Sequence, residues 1–199
     1  MSFSVILLDD EERNQTLLKS DPLFHRLTEY QKIEAINKAD NLGREASAWL
    51  QSSYTNRDAR VILEQMGVDI ITDYHSNGPF IPFSVYREKN NRIILYVAVV
   101  EKLVEQLIVY TQIQHQEVLL NKVTNIILFH ELFHHLEATK YGSASKLVKV
   151  PVITFGIIKI STGIQALSEI GAHTFARECV GPIESYLEFN LKEVMKNGL

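Results

Sequence analysis

The sequence predicts an α+β protein, mainly helical, with a small mixed or antiparallel β-sheet. Three observations carry that prediction. Apolar residues recur at helical spacing over 22–53 and again after residue 101. Between them, residues 68–100 concentrate β-branched and aromatic side chains, interrupted by Ser76-Asn77-Gly78-Pro79 and Lys89-Asn90-Asn91. The order is helices, a small sheet, then helices, which suits a segregated arrangement better than alternating βα units.

Asp21-Pro22 reads as a helix cap followed by proline at the first helical position. Leu23, Leu27, Tyr30, Ile33, Ile36, Ala39, Ala46, Trp49 and Leu50 then mark one long helix or two short ones over 22–53. A helix over 58–66 ends at Gly67, a suitable C-terminal cap. Strand-like runs follow at 68–74, at 81–88 and at 92–100, the last two joined as a hairpin across residues 89–91. Helices are expected over 101–115, 117–139, 166–179 and 183–196, while 142–164 has no clear period. Residues 1–54 form a helical N-terminal extension packed on a domain at 55–199, together one compact unit.

The composition excludes several functions. The chain has 199 residues, 46% of them hydrophobic, enough for a real core. A net charge of −4 gives no reason to expect direct nucleic-acid binding. The N-terminal apolar run is too short for a signal peptide, and the stretch 147–158 is shorter than a membrane span of ~20 residues. One cysteine, Cys179, leaves no disulfide within the chain and fits a reducing compartment. These features together predict a soluble cytoplasmic protein. Cys179 itself lies outside any metal spacing and reads as a small apolar residue.

The chemistry concentrates in LFHELFHHLE, residues 128–137. His130, Glu131 and His134 form H-E-x-x-H on an expected helix. Residues four apart share a helix face with Cβ atoms ~6 Å apart. Two imidazoles so placed can converge on one zinc ion, and Glu131 sits one step round, where it can take a proton from an activated water. With 7 histidines and 17 glutamates in the chain, chance would supply ~0.02 such motifs. A third protein ligand is expected. Glu169 and His173, four apart on a later helix, could each reach the ion. Glu169 would complete a His₂Glu set, with His173 supporting the site or the core. His135 points ~100° away from His134 and cannot share the ion. Glu131-x-x-His134 is also one half of a di-metal bundle motif, whose second copy is missing.

These residues resemble the ImmA/IrrE-type metallopeptidases, relatives of the zincins. ARVILEQMGVDII (59–71) is similar to their helix–Gly–strand entry, and LFHELFHHLE to their active-site helix. EIGAHTFARECVGP (169–182) resembles their E-x-x-A-x-x-F-A-x-E-x-x-x-P segment through Glu169, Ala172, Phe175, Ala176, Glu178 and Pro182. The resemblance covers residues 57–183. It implies a zincin-like fold, one zinc per chain on His130, His134 and Glu169, and Glu131 as catalytic base. It also implies a protein or peptide substrate, since the family's activities include cleaving repressor-type transcriptional regulators. The alternative is a catalytically silent zinc-binding regulatory or protein-interaction module.

The chain departs from the family in places. Phe133 stands where a small residue is usual, and a ring there is expected to narrow the cleft or to form a specificity wall. His173 stands where Asn is common. Thirty-five positions separate His134 from Glu169, a long connection whose stretch from Ala138 to Ser168 is free of acids and carries Lys140, Lys146, Lys149 and Lys159. That connection reads as a solvated segment with a buried apolar middle, or as a lid favouring an acidic partner. By analogy with zincins, the strand at 92–100 is expected to be an exposed edge beside the cleft, able to add a peptide strand. Tyr86, Tyr96, Tyr110 and Tyr141 are all candidates for stabilising an oxyanion.

Overall fold

The computed structural model describes residues 9–75, 81–111, 116–155 and 158–181. Its architecture is α+β. Helix α1 (Asp10–Ser20) begins with Asp9 accepting from Glu12 N, and three acids in its first turn complement the helix dipole. A 3₁₀ turn, Phe24–Arg26, leads to α2 (Glu29–Ser53), started by a reciprocal capping box between Thr28 and Gln31. The cap expected at Asp21 therefore has a different job. Its carboxylate accepts from Leu23 N at 2.9 Å and from Ala166 N at 3.0 Å, tying the α1–α2 joint to a helix 145 residues later.

Helix α3 (Ala59–Gln65) ends at Gly67, as the sequence suggests, with φ +70°. Strands β1 (Asp69–Asp73), β2 (Ser84–Arg87) and β3 (Arg92–Tyr96) form a sheet in the order β1-β3-β2. β2 and β3 are the expected hairpin, antiparallel, closing through Asn91 at φ +47°. β1 runs parallel to β3, so the sheet is mixed.

Two expectations about the third strand are corrected. It stops at Tyr96, where its partner β1 ends at Asp73, and α4 (Val97–Thr111) begins at once. Val100, Leu103, Val104 and Leu107 bury a helical stripe against Leu119, Val123 and Ile127. Nor is β3 an edge: it is central, with Ile93 and Leu95 buried, and β2 is the strand beside the site.

Helix α5 (Gln116–Leu136) runs through the middle of the molecule and continues into a π-helical turn, Glu137–Tyr141. A 3₁₀ turn (Ala144–Lys146) and the hairpin β4 (Lys149–Phe155)–β5 (Ile158–Gly163) form the connection that lacked a clear period. Val150 and Ile164 bury against Leu18, Leu27 and Leu167, on the side of α1. Helix α6 (Ala166–Val180) follows. The helix expected over 183–196 lies outside the described residues. No helix among the described residues is long and apolar enough to cross a membrane.

The main core gathers Leu128, Phe129, Leu132 and Phe133 of α5 with Ala172, Phe175 and Ala176 of α6. It also takes in Ala46 and Leu50 of α2, so it includes residues on both sides of position 54. Small residues bring these helices together. A Cβ on Gly43 would stand 2.5 Å from Gly171 O, and a Cβ on Gly171 would stand 2.6 Å from the Phe133 ring. That close approach sets how α6 lies across α5, and hence where Glu169 falls relative to the two histidines.

Candidate metal centre

One turn of α5 and the first turn of α6 face each other. His130 Nε2 and His134 Nε2 are 3.2 Å apart. Glu169 brings one carboxylate oxygen to 3.4 Å from His130 Nε2 and the other to 3.7 Å from His134 Nε2. Among the described residues these three form a group whose ligand atoms lie within 4.8 Å of one another. The spacing can be tested against a tetrahedral ion. Arms of ~2.0–2.2 Å place neighbouring ligands roughly 3.3–3.6 Å apart. The 3.2 Å between the imidazole nitrogens and the 3.4 Å from His130 to the nearer carboxylate oxygen lie within about 0.1 Å of that range, and the donor set of two imidazoles and a carboxylate suits zinc. The structure thus brings together the three residues expected from sequence as ligands, in a group that could hold a metal ion.

The electrostatics agree. Burial works against a charged His134, yet its hydrogen bond to Glu137 and the nearby Glu131 and Glu169 charges prevail, and its pKa is raised. For Glu169, burial pushes upward, but His130, His134 and His173 hold the carboxyl far below its ordinary range.

Glu131 is buried beside this group and engages β2. Ser84 Oγ donates to Oε1 at 2.6 Å, and the Tyr86 backbone N–H donates to Oε2 at 2.7 Å. Glu131, the three ligand residues and residues 82–86 line one open cavity of about 300 Å³.

Other expectations fall out differently. The Phe133 ring does not line that cavity. It is fully buried, wedged over Gly171 and against Phe175, so it shapes the helix packing and leaves the cleft width alone. The Tyr86 hydroxyl turns away to His135 Nδ1 (3.0 Å) and Asn91 Oδ1 (3.2 Å), which argues against an oxyanion role. Burial lowers the His135 pKa, keeping it neutral as a partner of Tyr86. The cavity is not lined by β4 or β5, so among the described residues the connection does not cover it. Cys179 is half-buried against the core, and burial pushes its thiol up to about 11.

His173 does not join the ligands. It is buried with its ring 4.9 Å from that of His130, centroid to centroid. Burial, then the neighbouring His130 and Arg13, hold its pKa well below normal, so it is neutral. His130 Nδ1 and His173 Nε2 are both buried without a hydrogen-bond partner.

Sequence reasoning missed Ser84, Glu137 and Ser168. Glu137 was visible at the end of LFHELFHHLE, three positions after His134, the spacing at which helix side chains meet. Ser84 carried no signal, because its partner is 47 residues away.

A scan against protein-family models, a search of curated proteins and a search of solved structures each find no match to this chain.

Proposed function

We propose that the protein is a zinc-dependent metallopeptidase of the ImmA/IrrE type, with a zincin-like fold, cleaving a peptide bond in a protein or peptide substrate. One observation carries this reading: the convergence of His130, His134 and Glu169 beside Glu131 in a single open cavity. The motif resemblance over 57–183 adds to it.

When bound, a zinc ion would supply Lewis acidity, polarising a carbonyl and making a water acidic near neutral pH. His130, His134 and Glu169 would hold it through two imidazoles and one carboxylate. Glu131 is the proton acceptor, and after attack it returns the proton to the leaving amine. Ser84 and the Tyr86 N–H fix the carboxylate in direction, so it does not need to search for its geometry. The Tyr86 N–H points away from β3, so the outer edge of β2 faces the cavity. An extended peptide would add to that edge as a further strand. A reducing, cytoplasmic setting is part of the reading, supported by the single cysteine.

Glu131→Gln tests it. The variant should keep its zinc and lose roughly 10²–10⁴-fold in turnover, the usual contribution of a general base. Turnover is read by mass spectrometry on a peptide library, with a chelator-treated control. Full activity in the variant would refute the assignment.

One observation favours a second reading, a silent zinc-binding regulatory or interaction module. Both oxygens of Glu131 are already engaged by β2. A zinc-loaded protein that cleaves nothing in the library would support it.

A further inference from the structure

The residue three places after the second histidine is built into the fold more firmly than any ligand. Glu137 is buried, at 8% exposure, and its carboxylate accepts from three directions. Oε2 takes the hydrogen of His134 Nδ1 at 2.8 Å and that of Ser168 Oγ at 2.5 Å. Oε1 takes the backbone N–H of Ala144 at 2.6 Å. Glu137 opens the π-helical turn, a rare irregularity that shifts the chain's register just beyond the site. Its three partners belong to α5, to the 3₁₀ turn after it, and to the first turn of α6 beside Glu169.

We propose that Glu137 is a positioning residue of the metal centre. It rests on the metal-centre reading and extends it. A carboxylate at Nδ1 fixes the His134 tautomer, placing the hydrogen there and leaving the Nε2 lone pair for the ion. The same carboxylate anchors Ser168, and through it the first turn of α6, so that Glu169 meets His130 and His134 at the right height. Ser168 Oγ also lies 3.3 Å from His134 Nδ1, closing a triangle of Glu137, Ser168 and His134 behind the ligand. A buried carboxylate with no such task would be costly to retain.

The test is Glu137→Gln, which keeps the shape and the acceptor for Ala144 but turns an amide N–H₂ toward two donors. Zinc affinity is measured by competition with a chromophoric chelator, alongside thermal unfolding of the metal-free protein. The expected result is a 10–100-fold loss of zinc affinity, the usual cost of removing such a partner. Ser168→Ala should lose less, because the Glu137–His134 contact survives. If the parent binds zinc and Glu137→Gln binds it equally well, Glu137 has no positioning role and the metal centre stands without it. If the parent binds no zinc, both readings fall. A second readout needs no variant. Long-range ¹H–¹⁵N spectra of the zinc-loaded parent should show His134 bound through Nε2 with its hydrogen on Nδ1. Coordination through Nδ1 would overturn the proposal even if Glu137→Gln does not fold.

Discussion

Ser84 on β2 donates its hydroxyl hydrogen to Glu131 Oε1 across 2.6 Å, joining the edge of the sheet to the carboxylate next to the histidine pair. Hydrogen bonds to charged groups are worth about 1.5–3 kcal/mol, a factor of roughly 10–100. Under the proposed reading, Ser84→Ala should lower turnover about tenfold while zinc content stays unchanged. Steady-state kinetics on a cleaved library peptide would check it. Faster turnover would instead show that the contact restrains the base.

Gly171 sits under the Phe133 ring with no room for a methyl group. Gly171→Ala should destabilise the protein by about 1–3 kcal/mol, the range for overpacking a core. Thermal unfolding measures this. Adding Phe133→Leu should recover part of the loss, because the clashing ring is gone. Additive destabilisation in the double variant would contradict the proposed fit.

The acid limb of stability should depend on His173. Its folded pKa lies below the unfolded value of about 6.5, so at lower pH the unfolded chain takes up a proton that the folded chain refuses. Its contribution is therefore fully present above pH ~6.5 and declines as pH falls. In metal-free protein, His173→Asn should make the decline between pH 6.5 and 5 shallower by about one proton's worth, ~1.4 kcal/mol per pH unit. Unfolding midpoints at several pH values would read the slope. An unchanged slope would mean that His173 is charged in the folded protein.

Asp21 is buried and reaches Leu23 N and Ala166 N together. α6 has no side-chain cap of its own at Gln165, so Asp21 serves in its place. Asp21→Ala should cost about 1–2 kcal/mol, at the upper end for a lost cap. Chemical denaturation would measure it. Loss of zinc affinity in the same variant would show that α6 must be seated for Glu169 to bind.

The legible parts of the fold and site are those written in short-range spacing. The H-E-x-x-H helix and the Glu169 helix carry their own periodicity, and hydrophobic pairing across them follows. The β3–α4 junction was not legible, because Tyr96-Val97-Ala98-Val99-Val100 reads as strand by composition, and the strand ends where both neighbours stop pairing, β1 at Asp73 and β2 at Ser84. Helix α1 lies inside the helical extension expected over 1–54, but its own bounds were not legible, for a different reason. Its sequence DEERNQTLLKS has no apolar stripe, and it buries Arg13 and Asn14 beside Leu18. Arg13 pairs with Asp10, and Arg177 of α6 reaches the same carboxylate, a solution that depends on tertiary contacts. Phe133 was read as a wall of the cleft because a lone helix does not reveal which side its neighbour occupies. Gly43 and Gly171, far apart in sequence, decide that.

The most direct measurement is zinc per chain in protein purified without chelator, for the parent and for Glu169→Ala. About one zinc is expected in the parent and far less in the variant, with both folded. A parent that takes up no zinc even when it is supplied, or a Glu169→Ala protein that holds it as tightly as the parent, would contradict the His130–His134–Glu169 centre.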